Sequence, residues 1–362
     1  MWLGIYWGRN LMFHQREISA HQTTAYYPSF DYLRFVLAAM VVAGHSLLAP
    51  DWTAHLAVSV FFALSGWLIG GILLQLKNEN LPRFYYNRAT RIWIPYFAAI
   101  ILLYGLSATK EPITWRWLEF LLYHVTFVFN WFTTLPDAQT ALVGLPLGWG
   151  VHFWSICVEE QFYLFAPAFI IFLPFLGRSL VVWSLITAAL VVMQNEFAAI
   201  SIGVLAAVCR DRFGDWHLTK PVTLLLLLAC ATTAALLPLF FRADSPLFAV
   251  TVVLLLARPG RPYIMGGFLG GASYPIYLNH PLGLIIGHSI VKRVFPGMSE
   301  ILPDFALGIL VGVIMYLLID RIVMERRAAY FTRTRGIQLA LTGYSLVVFG
   351  LTFGILRWYV FS

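Results

Sequence analysis

Arg34 and His45 stand in one apolar run, FDYLRFVLAAMVVAGHSLL, where ionisable groups cost enough to mark functional candidates. Their separation of eleven residues is about 1100° of helical rotation, three turns plus roughly 20°, so both occupy one face of a helix. The same spacing sets them about 16 Å apart along the axis. A guanidinium suits phosphate or carboxylate, and an imidazole titrates close to working pH, as a general base must. The plainer alternative is that Arg34 pairs with Asp31, three residues earlier, and that His45 only packs against a neighbouring helix.

A second run, HFWSICVEEQFYLFAP, repeats His152, Ser155, Glu159 and Phe162 or Tyr163 at intervals of three to four, which is one face of a helix. Glu160 points about 100° away from that stripe. GGASYPIYLNHP sets Ser273, Tyr277 and His280 on one face, with aromatic and hydroxyl groups alternating as in a cavity lined for a sugar or an acyl chain. NRATRIWIPYF contributes Arg88 and Arg91, one turn apart at a helix start, where paired guanidinium groups suit phosphate. Ordinary positive-inside anchoring explains that pair nearly as well. P-loop, Gly-x-Ser-x-Gly and His-Glu-x-x-His patterns are absent, so nucleotide-hydrolase, α/β-hydrolase and zinc-protease readings have no support and no metal is expected.

The elements that must position these residues are membrane spans. Hydrophobic residues make up 60% of the 362 and charged ones 11%, too apolar for a soluble fold of this length. Apolar runs recur along the whole chain, each near the roughly 20 residues that cross about 30 Å of hydrocarbon. Without period-two alternation, backbone satisfaction in lipid demands helices. The predicted fold class is therefore all-α, a polytopic bundle of about eleven spans in a single domain over 28–362. It follows a cytoplasmic segment, 1–27, in which Trp2, Tyr6 and Trp7 read as interfacial anchors. The spans are placed near 30–48, 55–76, 92–106, 149–176, 180–194, 197–209, 222–241, 246–257, 267–287, 305–324 and 337–359.

Loop charge sets the orientation. If residues 107–151 form one outer loop with a half-buried aromatic segment, every basic cluster, including Arg210/Arg212/Lys220 and Arg326/Arg327/Arg333/Arg335, falls in the cytoplasm. The N-terminus is then inside, the C-terminus outside, and a basic loop with Lys77, Arg83, Arg88 and Arg91 precedes the third span. The net charge of +7 reads as a topology signal, and no nucleic-acid partner is expected. Cys157, Cys209 and Cys230 lie in apolar runs without metal or disulfide spacing, and the first twenty residues lack a removable signal peptide's core.

In this order, FDYLRFVLAAMVVAGH, SVFFALSGWLIG, YYNRATRIWIPYF, HFWSICVEEQFYLFAP and ASYPIYLNHP resemble acyltransferase family 3, membrane O-acyltransferases that modify bacterial surface and exported saccharides. The resemblance covers roughly residues 28–325. It implies that Arg34 and His45 are the family's Arg-x10-His pair, Arg88 and Arg91 its Arg-x-x-Arg, and Glu159 the glutamate after its Trp-Ser pair. It also implies acyl-CoA, usually acetyl-CoA, as donor, a saccharide or glycolipid hydroxyl as acceptor, and a bacterial cytoplasmic (inner) membrane location. No fused outer hydrolase-like domain is expected after the last span.

Combined with the residue chemistry, the expectation is that His45 is the base and Glu159 holds its imidazole in the useful tautomer. Arg34, Arg88 and Arg91 would hold the CoA phosphates. Ser65, His152, Trp154, Ser155, Tyr274, Tyr277 and His280 are expected to line the substrate cavity. A covalent acyl-histidine relay is a variant of the same scheme. The main rival reading is a transporter or flippase for an anionic or sugar-bearing solute, its path lined by the same charges, and a third is a non-catalytic membrane scaffold or sensor.

Overall fold

A computed structural model describes residues 26–132 and 150–360, and every element in them is helical. The segment carrying Trp2, Tyr6 and Trp7, and part of the long loop at 133–149, lie outside the described residues. Among the described residues, six helices are long and apolar enough to cross a membrane by length and composition.

Helix α1 (Pro28–His45) starts with proline, whose missing N–H costs nothing in the first turn. It stops at His45, beyond which Leu47 takes a left-handed conformation (φ 62°). His45 is thus the last residue of its helix, at the mouth of the bundle. Helices α2 (Trp52–Gln75) and α3 (Leu81–Ala108) follow. Then comes α4 (Trp115–Val125), whose eleven residues reach only about 16 Å and cannot cross a bilayer alone. Trp117, Phe120, Tyr123 and His124 bury one side of it.

Helices α5 (Trp154–Phe172), α6 (Leu180–Val192), α7 (Ala198–Phe213), α8 (Lys220–Leu256) and α9 (Ile264–Val294) continue the bundle. Helix α10 (Ile301–Met315) passes through a π turn (Tyr316–Asp320) into Arg321–Arg326, and α11 (Arg333–Ile355) runs on into a second π turn, Leu356–Val360.

Two expectations need correction. The spans at 222–241 and 246–257 are one helix, α8, of 37 residues. Arg242 and Asp244 mark a polar interval in the sequence, but the backbone stays helical through it, so polarity alone does not end a helix. Likewise Arg88 and Arg91 are not in a loop before the third span. They sit seven and ten residues into α3, which carries them about 10–15 Å up the bundle.

Small residues let the helices meet closely, as membrane packing without a hydrophobic drive requires. Gly66 of α2 lies against the Ile200 carbonyl of α7, and Gly203 of α7 lies against the Ala63 carbonyl of α2. Gly308 of α10 touches Val42 of α1 and Leu284 of α9, and Gly270 of α9 receives Asp31 of α1. Helices α1, α9 and α10 thereby form one tightly held group. At its lower end the Gly260 N–H donates to the Tyr26 carbonyl (2.9 Å), fixing the starts of α1 and α9 side by side.

Candidate active site

Two groups of polar residues lie at different depths along α1. The first surrounds Arg34. Its guanidinium donates to Asp31 at 3.3 Å, and Asp31 also accepts the Tyr26 hydroxyl. Tyr26 precedes the span, and burial together with the Asp31 carboxylate pushes its hydroxyl's pKa up, so it remains a donor. Arg88 and Arg91 of α3 share the electrostatic neighbourhood of Arg34, together with Glu159 and Tyr163 of α5. The Arg88 guanidinium lies 5.9 Å from the Phe84 ring and 5.8 Å from the Tyr163 ring, and its Nε is buried without a hydrogen-bond partner. Neither Arg88 nor Arg91 makes a hydrogen bond or close ion pair among the described residues.

Glu159 is tied into a short relay of hydroxyls. Ser65 of α2 donates to Glu159 Oε1 (2.6 Å), and the Tyr163 hydroxyl donates to Ser65 Oγ (3.0 Å). Glu160 turns away, accepts the Trp93 indole N–H (2.7 Å) and is buried. Tyr274 of α9 donates to the Ile92 carbonyl (3.2 Å), which places it beside this first group. Asp320, in the π turn, completes the neighbourhood of Arg91 with one buried oxygen unpartnered. A carboxylate among several guanidinium groups offsets part of the heavy desolvation cost that each charge would bear alone.

The second group lies at the other end of α1. His45 Nδ1 is 2.8 Å from His280 Nε2 of α9, with the two rings stacked at 5.0 Å. His280 Nδ1 is held by the Tyr277 carbonyl at 2.8 Å. The Tyr277 hydroxyl donates to the His152 carbonyl (2.6 Å), so Ser155 must be the donor in its own 2.6 Å contact with that hydroxyl. His152 Nε2 donates to the Leu278 carbonyl (3.1 Å). Trp154 stands at the rim, its ring edge-on to Phe62 and 6.5 Å from His55. His152, Tyr277 and His280 are buried, whereas His45 is exposed at the mouth. One imidazole that a solute can reach is thus backed by a buried wall of hydrogen-bonded tyrosine and histidine side chains.

The residues singled out in the sequence therefore divide. Arg34, Arg88, Arg91, Glu159, Ser65 and Tyr274 gather in the first group; His45, His152, Trp154, Ser155, Tyr277 and His280 gather in the second. Glu159 is not the partner of His45. It lies one helical turn, about 6 Å, deeper on α5 than Ser155, and its carboxylate serves Ser65 and the arginines instead. His45 does lie on one helix with Arg34, and Arg34 does pair with Asp31.

Two residues escaped the sequence reading. Asp320 ends an apolar run, YLLID, and an intramembrane carboxylate is a signal in itself. His124 binds the Gly150 carbonyl (2.9 Å) and the Tyr104 hydroxyl (2.7 Å) while stacking on Phe129, a fully satisfied packing site.

Comparison with known proteins bears on both groups together. The profile of acyltransferase family 3, described as an acyltransferase domain, matches residues 27–321. The chain is 30% identical over 152 residues to the peptidoglycan O-acetyltransferase OatA of Listeria monocytogenes, covering 40% of this chain and 24% of that protein. It is 29% identical over 161 residues to the O-acetyltransferase OatA of Staphylococcus aureus, covering 41% of this chain and 25% of that protein. The matched part is about a quarter of the length of these relatives. No solved structure matches the chain. The profile begins just before α1 and ends just after the π turn, so it takes in every residue of the two groups from Asp31 to Asp320, and the chain belongs to acyltransferase family 3.

Proposed function

We propose that the protein is an integral membrane O-acetyltransferase of the bacterial inner membrane, moving an acetyl group from acetyl-CoA in the cytoplasm to a hydroxyl of a cell-envelope or exported saccharide. One observation carries this reading: α1 runs from a cluster of guanidinium groups to an accessible imidazole, about 16 Å apart on the same helix. Coenzyme A has the complementary shape, with phosphates at one end and a thioester on a long flexible arm. In this reading the Arg34 end faces the cytoplasm, as loop charge suggests, and the His45 end faces outward.

At the Arg34 end, Arg88 and Arg91 have donors to spare for phosphate. Glu159 keeps the cluster from repelling itself and holds Ser65 and Tyr163 along the route of the arm. At the mouth, His45 takes the proton of the acceptor hydroxyl as its oxygen attacks the thioester carbon. The C–O bond forms, the C–S bond breaks, and the proton passes to the leaving thiolate. The acceptor class follows the names of the relatives, one of which is a peptidoglycan O-acetyltransferase.

The test is direct. Purified protein in lipid nanodiscs, given [14C]acetyl-CoA and a cell-envelope saccharide fraction, is expected to yield label in saccharide that mild alkali releases. Intact acetyl-CoA and unlabelled saccharide, with every envelope fraction tried, would overturn the reading.

A further inference from the structure

We infer that His280 is a positioning residue that sets the tautomer of His45, so that the base of this site is specifically His45 Nε2. This rests on the proposed acetyl transfer and replaces the carboxylate partner expected from the sequence. The assignment follows by elimination along one chain of hydrogen bonds. A carbonyl oxygen only accepts, so the 2.8 Å contact between His280 Nδ1 and the Tyr277 carbonyl puts the proton on His280 Nδ1. In the neutral ring Nε2 then carries a lone pair and accepts. The 2.8 Å contact from His45 Nδ1 must therefore be a donated hydrogen bond. With its proton on Nδ1, His45 has its lone pair on Nε2, for which no protein partner exists among the described residues.

The surroundings make this arrangement rigid. His280 is 1% exposed, with its Cβ packed beside Gly308 of α10, so its ring is enclosed by protein. His152 closes the other side, its ring 5.1 Å from His280. The remaining titratable neighbours of His45 are Asp51 and His55, both at the start of α2 and neither hydrogen-bonded to the pair. An unconstrained imidazole prefers its proton on Nε2, the tautomer that cannot act as a base through that nitrogen. His280 reverses the preference and turns the free lone pair towards the mouth. When Nε2 accepts the proton of the attacking hydroxyl, the Nδ1–H bond to His280 is kept, and the positive ring is stabilised by a lone pair instead of a carboxylate.

The experiment pairs kinetics with spectroscopy on the full chain in nanodiscs. His280→Ala is expected to lower kcat on the order of 10–100-fold, less than the roughly 10²–10⁴-fold that losing the base itself would cost, with the KM for acetyl-CoA unchanged. His280→Gln presents an amide oxygen where Nε2 stood and should recover most of that loss, which a merely structural role would not predict. Independently, 15N spectra of histidine-labelled protein, with the His45 signal assigned by its absence in His45→Gln, should show a protonated Nδ1 and a bare Nε2. In His280→Ala that signal should move to the Nε2–H form. Equal loss in the Ala and Gln variants, no loss in either, or an Nε2-protonated His45 in the unmodified chain would overturn the inference. If the unmodified chain transfers no acetyl group, the functional reading falls, and the spectrum still decides the tautomer by itself.

Discussion

Replacing Arg88 and Arg91 together by alanine should be felt through the donor's phosphates and nowhere else in the reaction. Neither guanidinium is hydrogen-bonded within the described protein, and Arg88 Nε is buried without a partner, so both have donors available to a ligand. A hydrogen bond to a charged group is worth about 1.5–3 kcal/mol net, so two such contacts give about 3–6 kcal/mol. That corresponds to a loss of roughly 10²–10⁴-fold in kcat/KM for acetyl-CoA. The same loss should follow from trimming the donor instead of the enzyme. S-acetylpantetheine keeps the thioester and arm but lacks the nucleotide phosphates.

The informative assay is the full cycle of two enzymes and two donors, measured as initial rates of saccharide acetylation. Each single change should cost about the same, and both together little more than either, because they delete one interaction. The cation–π contacts of Arg88 with Phe84 and Tyr163 add about 0.5–1 kcal/mol each to stability, so melting temperatures must be followed alongside. Losses that simply add, or an unchanged KM for acetyl-CoA in the double variant, would refute the phosphate assignment.

Further outcomes are expected from the same geometry. His45→Ala should lower turnover by roughly 10²–10⁴-fold with normal membrane yield, and retained turnover would remove it as the base. Glu159→Gln removes a carboxylate from the neighbourhood of Arg34 and Arg88 and should cost up to about 3–5 kcal/mol of stability; CoA should then raise the melting temperature more than it does for the unmodified chain. Gly203→Val drives a side chain into the Ala63 carbonyl across the α2–α7 crossing and should destabilise by at least about 1–3 kcal/mol in thermal unfolding. Arg357→Ala takes the cation from the buried Glu119 carboxylate, 3.8 Å from it, leaving the Tyr123 hydroxyl as donor, and the lost melting temperature should return in the Arg357→Ala, Glu119→Gln double variant.

Much of the fold was legible because lipid leaves few choices: long apolar runs without alternation become helices, and α1, α2, α6 and α7 fall within a few residues of the expected spans. Helical phase is also legible, since eleven residues of spacing put Arg34 and His45 on one face of α1. Depth and partnership were not. Ser155 and Glu159 share a face of α5, yet one turn of rise assigns them to different groups, with Tyr277 and Ser65 respectively. Periodicity names the face a side chain occupies but not the helix opposite, so His280, 235 positions away, could not be matched to His45. Charge misled in two places for one reason. Polar residues in α8 and at the start of α3 suggest loop, although the backbone stays helical through both. The π turn that carries Asp320 into the arginine cluster leaves no mark in local composition.

The central claim is that an acetyl group enters at the arginine end and leaves at the histidine end. Proteoliposomes with the protein in one known orientation, determined by protease access to the Arg321–Arg335 segment, test it most directly. With [14C]acetyl-CoA confined to the side of that segment and saccharide to the other, alkali-labile label should accumulate on the saccharide. Exchanging the two compartments should abolish it. Equal labelling in both arrangements, or labelling only in the reverse one, would contradict the account.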